Sequence, residues 1–285
     1  MIISAERISK KYGKVVALKD VNISCSAGEI VGLLGKNGAG KTTLFKILFG
    51  LVKQDSGSLK IYSEKEKPLG GIIEKPALYE YLNAKENIKV FSKIQGLNFG
   101  KVEIEESLQK VGLPLDRTDP VKNFSMGMKQ RLGIAISLLN NPECLILDEP
   151  FSGLDTIGIK AIRKLILELV TKEKIGIIIA SHLIEELSKL CDTLYVINKG
   201  AIISSGETQK IIAENTTSFT VYASGIEKST ALKQFSSVIK KNSATVLISQ
   251  QEVPYLLQQL TEENIYITAC VPEINFDNLF ESANL

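Results

Sequence analysis

The stretch from Gly32 to Leu48, GLLGKNGAGKTTLFKIL, places glycines, a lysine and two threonines between an apolar run and a helix-like segment. Gly35, Gly40, Lys41 and Thr42 meet the spacing G-x-x-x-x-G-K-[ST]. Glycines let the backbone curl until several N–H groups face one point, and a helix N-terminus adds partial positive charge there. The chemistry this allows is the grip of a polyphosphate. Lys41 is expected to reach the β- and γ-phosphates, Thr42 to put its hydroxyl on Mg²⁺, and Thr43 to assist at the α-phosphate. Lys36, Asn37, Gly38 and Ala39 complete the binding loop. A glycine-rich turn with a surface lysine is the competing reading, and the strand before it and the helix after it argue against that.

Two further segments supply acids and a base. LILDEP (145–150) is an apolar run that ends in Asp148 and Glu149. In open parallel sheets ligands sit beyond the carboxyl ends of the strands. Asp148 is then placed to hold Mg²⁺ through water, and Glu149 to orient and deprotonate an attacking water. IIIASH (177–182) sets His182, the sole histidine of the chain, at the end of another such run. A γ-phosphate contact is assigned to it; a purely structural histidine is the alternative.

These side chains need strands to deliver them. EIVGLLG (29–35), ECLILDEP (143–150) and IGIIIASH (175–182) read as buried strands, with helices expected over 42–51 and 157–173. Buried runs alternating with helices imply a mostly parallel sheet. Residues 1–31 read as short strands turning at Gly13 and at Ala27-Gly28, and DSGSLKIY as a turn and a strand. Periodic stretches at 84–95, 101–111 and 126–139 predict a helical insertion over about 76–140. Beyond residue 206 the pattern changes. TSFTVYA, ATVLISQ and NIYITACV alternate as strands, and VPYLLQQLTEE and FDNLFESANL read as helices. The domain assignment is therefore 1–212 and a small α/β unit over 213–285.

Composition narrows the function. A net charge of +2 on 285 residues gives no broad basic footprint for nucleic acid. Cys25, Cys144, Cys191 and Cys270 lack metal-type spacing and are expected to be reduced thiols. No apolar run approaches the ~18–20 residues of a membrane span, and charged Glu6, Arg7, Lys10 and Lys11 stand where a signal peptide would be apolar.

GKNGAGKTT (35–43), FSMGMKQR (124–131), LILDEP (145–150), SGLD (152–155) and SH (181–182) follow one another in an order that resembles the ATP-binding subunits of ABC transporters, over about residues 1–210. FSMGMKQR is the most specific of these. Ser125 and Gly127 match the family signature LSGGQ, whereas Met126 and Met128 depart from it. The resemblance implies an α/β P-loop fold of ABC type: a mostly parallel core sheet, N-terminal antiparallel strands and a helical subdomain, with the small C-terminal α/β domain appended.

The resemblance also implies an ATPase that uses ATP and Mg²⁺. Two subunits, either two copies or a copy with a paralogue, would meet head to tail. Ser125 and Gly127 of one would close over the γ-phosphate held by the other, with Asp155 communicating across the dimer. Tyr12 would stack on adenine, although a structural tyrosine is a serious alternative. Where the family has glutamine this chain has Glu74, able to reach Mg²⁺ or the water. That feature, within IIEKPALYEYLNAKENI, is similar to bacitracin-resistance and lantibiotic-immunity exporters. Residues 75–84 would form the groove for a membrane permease, which places the chain in the cytoplasm, peripheral on the inner membrane face. The segment PEINFDNLFESANL is similar to the end of that branch, with a packing or dimer-supporting role as the plainer reading. A soluble ABC ATPase, for example of iron–sulfur assembly, is the alternative function. A non-catalytic regulator is disfavoured by intact Lys41, Asp148, Glu149 and His182.

Overall fold

The computed structural model describes residues 1–275 and residue 280. From the N-terminus run β1 (Ile3–Tyr12), β2 (Val15–Cys25), β3 (Ile30–Leu34), α1 (Lys41–Leu48), β4 (Ser56–Ile61) and β5 (Leu69–Ile72). Three helices follow, α2 (Ala84–Ile94), α3 (Lys101–Lys110) and α4 (Met126–Ser137). The chain then alternates through β6 (Cys144–Asp148), α5 (Thr156–Glu173), β7 (Gly176–Ser181), α6 (Ile184–Leu187), β8 (Thr193–Asn198) and β9 (Ala201–Glu207).

The central sheet has the order β5-β6-β7-β3-β8-β9, and the pairs β5–β6, β6–β7, β7–β3 and β3–β8 are parallel. Every residue of β3, β6 and β7 is buried, which is why these segments are apolar throughout rather than alternating. A second sheet, β2-β1-β4, is antiparallel. The sequence reading expected short strands here. Instead β1 and β2 are 10 and 11 residues long, and register shifts with Arg7 and Asp20 at positive φ let one continuous pair bend. One core joins the two sheets to α1, built from residues such as Ile8, Leu18, Val31, Phe45, Ile146 and Ile178.

α2 starts at a capping box in which Asn83 accepts from the Glu86 N–H and Glu86 accepts from the Asn83 N–H. Fully buried Asn87 accepts from the Tyr79 N–H and donates to the carbonyls of Tyr79 and Asn83, so the irregular stretch before α2 is pinned from inside. α4 and α5 are capped by Ser125 and Asp155 respectively.

The chain divides into two compact units between Gly206 and Glu207, ahead of the boundary expected after residue 212. The cause is α7 (Thr208–Glu214), whose Ile211 and Ile212 carbonyls accept from the side chains of Asn215 and Thr216 at the start of the next strand. The second unit continues with β10 (Thr216–Ala223), β11 (Ser237–Lys240), β12 (Ser243–Val246), α8 (Val253–Glu262) and β13 (Ile267–Ile274). Its strands form an antiparallel sheet of order β11-β12-β10-β13. Leu256 and Leu260 of α8 pack with Phe219, Val221 and Val246 in a separate core. The strand expected over ATVLISQ stops at Val246, because the Ser249 N–H and hydroxyl turn to Glu252. The helix expected over 276–285 lies outside the described residues, Phe280 apart.

Candidate functional site

β3, β6 and β7 are neighbours in the central sheet, and their carboxyl ends deliver the loop 35–40, Asp148-Glu149 and Ser181-His182 to one place. Gly40 closes the loop as the cap residue of α1 at φ 110. A Cβ there would stand 2.7 Å from the Ala17 carbonyl oxygen, so the turn demands glycine on two grounds. The loop is followed at once by α1, which aims its N-terminus at the space enclosed.

Lys41 is 6 % exposed, and its Nζ donates to the carbonyl of Gly35 at 2.6 Å and of Lys36 at 3.3 Å. The same ammonium lies 3.2 Å from Glu149 Oε1. The Thr42 hydroxyl donates to Asp148 Oδ2 at 2.8 Å. Asp148 is 3 % exposed and its Oδ1 has no hydrogen-bond partner. Burial pushes the Asp148 carboxyl above its ordinary value; the Thr42 hydrogen bond opposes this, and the charge of Glu149 adds to it. An orphaned carboxylate oxygen beside a hydroxyl is a donor set of the kind a hard divalent cation takes. The residues present therefore fit Mg²⁺.

Glu149 takes a left-handed backbone conformation, φ 49, as its N–H donates to the Ala180 carbonyl at 2.9 Å. Strain of this kind in a non-glycine residue is typical of functional sites. Its Oε2 is 2.8 Å from His182 Nδ1 and accepts from the Ser181 hydroxyl at 3.4 Å. His182 thus orients the glutamate through one ring nitrogen, and its ring is partly open to solvent. Glu74, also left-handed at φ 63, lies just past β5 with its side chain exposed and 3.1 Å from Lys46 Nζ.

These elements enclose a cleft of about 620 Å³ whose lining includes Asn37, Gly38, Ala39, Thr43, Glu74 and Glu149. The sequence reading did not name Val15, Val16 and Ala17, yet they form part of its wall. No motif marks them; Val15 and Val16 stand exposed at the start of β2. Tyr12 is not in that wall; it is exposed, with Lys10 Nζ 5.5 Å from its ring centroid. Ser125, Gly127 and Asp155 gather in a neighbouring depression of about 290 Å³. Ser125 accepts from the Met128 N–H at 3.3 Å, and Asp155 from the Gly158 N–H at 2.7 Å.

In the 75–84 stretch, Tyr79 meets Tyr81 edge-on at 6.0 Å, and Glu80 pairs with Lys129 of α4 at 2.7 Å. A separate apolar groove of about 600 Å³, unforeseen from sequence, is lined by Phe49, Ile61, Pro68, Ile94 and Ile136. Among the described residues no three or more His, Cys, Asp or Glu side chains gather as a metal site, and no helix is long and apolar enough to cross a membrane.

A family model described as "ABC transporter" matches residues 18–152. The chain is similar to the lantibiotic transport ATP-binding protein SrtF of Streptococcus pyogenes, 44% identical over 212 residues, covering 72% of this chain and 91% of the relative. It is similar also to the bacitracin transport ATP-binding protein BcrA of Bacillus licheniformis, 43% identical over 210 residues, 71% of this chain and 68% of the relative. Among solved structures, cbiO1 from Clostridium perfringens, described as part of the ABC transporter complex cbiONQ, superposes with a TM-score of 0.66. That structure is 30% identical, and the match covers 75% of this chain and 91% of that one.

Proposed function

This chain belongs to the ATP-binding subunits of ABC transporters, and from that premise we propose that it drives a separate membrane permease that exports peptide antibiotics, drugs or lipid-like molecules. Binding and hydrolysis of ATP is the activity of the cassette. The observation that carries the mechanism is the meeting of Lys41, Thr42, Asp148, Glu149 and His182 at the ends of three adjacent strands.

Lys41 and the loop amides hold the β- and γ-phosphates, and α1 adds its N-terminal field. A γ-phosphate arriving beside Lys41 competes with Glu149 for the ammonium and frees that carboxylate for water. The water oxygen attacks the γ-phosphorus, the bond to the β,γ-bridging oxygen breaks, and Glu149 takes the proton. His182 holds Glu149 in orientation and contacts the γ-phosphate. Thr42 and Asp148 would hold Mg²⁺, with Glu74 lining the same cleft; the ion would supply charge neutralisation on the phosphate oxygens. Val15, Val16 and Ala17 offer an apolar wall to the base, with Tyr12 outside that wall.

Ser125, Gly127 and Asp155 act on the nucleotide of a second subunit. Their separate depression, capped by a helix N-terminus, supports action across a dimer rather than within one chain. The permease is received at the 75–84 stretch and the apolar groove, which places the subunit on the inner face of the membrane. The likeness to bacitracin and lantibiotic transport subunits supports the substrate class. Affinity isolation of the chain from detergent-solubilised membranes should recover a multi-span membrane protein. Cells carrying Lys41→Ala should become sensitive to peptide antibiotics. Recovery of soluble partners alone, with unchanged sensitivity, would overturn the transport reading.

A further inference from the structure

Glu74 brings a carboxylate to the mouth of a cleft that takes a polyanion. It lines the same cavity as Lys41, Thr42 and Asp148. Charges within the ~8–10 Å over which physiological salt screens them act on one another, so a carboxylate lining this cleft opposes a polyanion held in it. The fold answers with Lys46. This residue stands one helical turn beyond Thr42 on α1, so the two share a face of that helix. Lys46 Nζ is 3.1 Å from Glu74 Oε1. Glu74 itself takes a left-handed backbone conformation, φ 63, just past β5. Thr42 thus ties α1 to Asp148 at the end of β6, and Lys46 ties the same helix to Glu74 just past β5.

We propose that Lys46 is a positioning residue for nucleotide: its ammonium holds Glu74 against α1 and cancels its charge, which lets a carboxylate stand beside bound triphosphate. The inference rests on the reading that ATP occupies this cleft. It differs from the general benefit of a cation in the last turn of a helix, which would act on α1 whatever stands at position 74.

The test is a double-mutant cycle on the full chain, read as the dissociation constant of trinitrophenyl-ATP with Mg²⁺ at low salt. Lys46→Met should weaken binding about two- to five-fold, the range for a pair as exposed as this one. Glu74→Gln sets the second background of the cycle, and adding Lys46→Met to it should change its dissociation constant no further. Lys46→Arg should bind as wild type does, and half-molar salt should erase the loss in Lys46→Met. If thermal melting shows Lys46→Met to be misfolded, Lys46→Gln takes its place in the cycle. The same loss in both backgrounds, or none in either, would overturn the proposal while leaving the ATP site standing. A wild-type chain that bound no nucleotide would overturn the site reading itself, and the proposal with it.

Discussion

Replacing Asp148 by asparagine should make the protein more stable without metal and nucleotide, and less stable with them. In the fold Asp148 is 3 % exposed, and its Oδ1 has no hydrogen-bond partner. A buried acceptor left unpaired costs about 1–3 kcal/mol, more when it is charged. An amide of the same shape keeps an oxygen for the Thr42 hydroxyl and removes the charge, while its NH₂ still lacks a partner, so only the charged share of the cost is recovered. Recovery of about 1 kcal/mol is expected, a rise of about 2–4 °C in the melting temperature of the cassette. Burial also holds the carboxyl above its ordinary value of 3.8. The folded state therefore binds that proton more tightly than the unfolded one, and wild-type stability falls as pH rises from 3.8 through the folded value. The variant does not titrate there, so its advantage should be absent at the acid end and complete above the folded value. Mg²⁺ with ATP at a hundredfold excess over Kd adds about 2.7 kcal/mol to a protein that binds it. Wild type should gain that increment and the variant should not, which inverts their order. Differential scanning fluorimetry in EDTA and in Mg²⁺-ATP, across pH, reads each term. A variant that melted at or below wild type in EDTA would refute the claim that this carboxylate is held at a cost for the sake of a cation.

Glu149→Gln keeps the shape that meets Lys41 and His182 but cannot accept a proton from water, so phosphate release should fall about 10²–10⁴-fold while ATP binding persists. Rapid turnover by that variant would remove Glu149 from the role of base. Gly40→Ala puts a methyl group 2.7 Å from the Ala17 oxygen at a backbone φ of 110, so it should cost about 2–3 kcal/mol and abolish nucleotide binding. Chemical denaturation and equilibrium binding check these two losses separately.

Local chemistry accounts for what was readable along the chain. The loop 35–43 lies within one strand–turn–helix unit, so its spacing is visible without tertiary knowledge. The runs 143–150 and 175–182 show as central strands because burial on both faces demands continuous apolar sequence. The appended unit was harder to bound. Its strands are partly exposed, so alternation runs on into turns: the strand expected at residues 264–271 begins at Ile267, after a left-handed Asn264. The walls of the cleft were harder still. Val15 to Ala17 carry no motif, and Tyr12 looks like the aromatic partner although it stands outside the cavity wall.

The sequence by itself determined the chemistry on offer: a phosphate-gripping loop, two acids, a histidine and a signature segment, each confined to a few consecutive residues. Only the tertiary structure decided their company. The strand order β5-β6-β7-β3 sets Asp148 and Glu149 beside a loop more than a hundred residues earlier, joins Thr42 to Asp148 and Lys41 to Glu149, and brings Glu74 beside Lys46. The reason is that side-chain patterns report burial, which is local, whereas the choice of neighbouring strand is settled by long-range pairing and packing across the whole sheet.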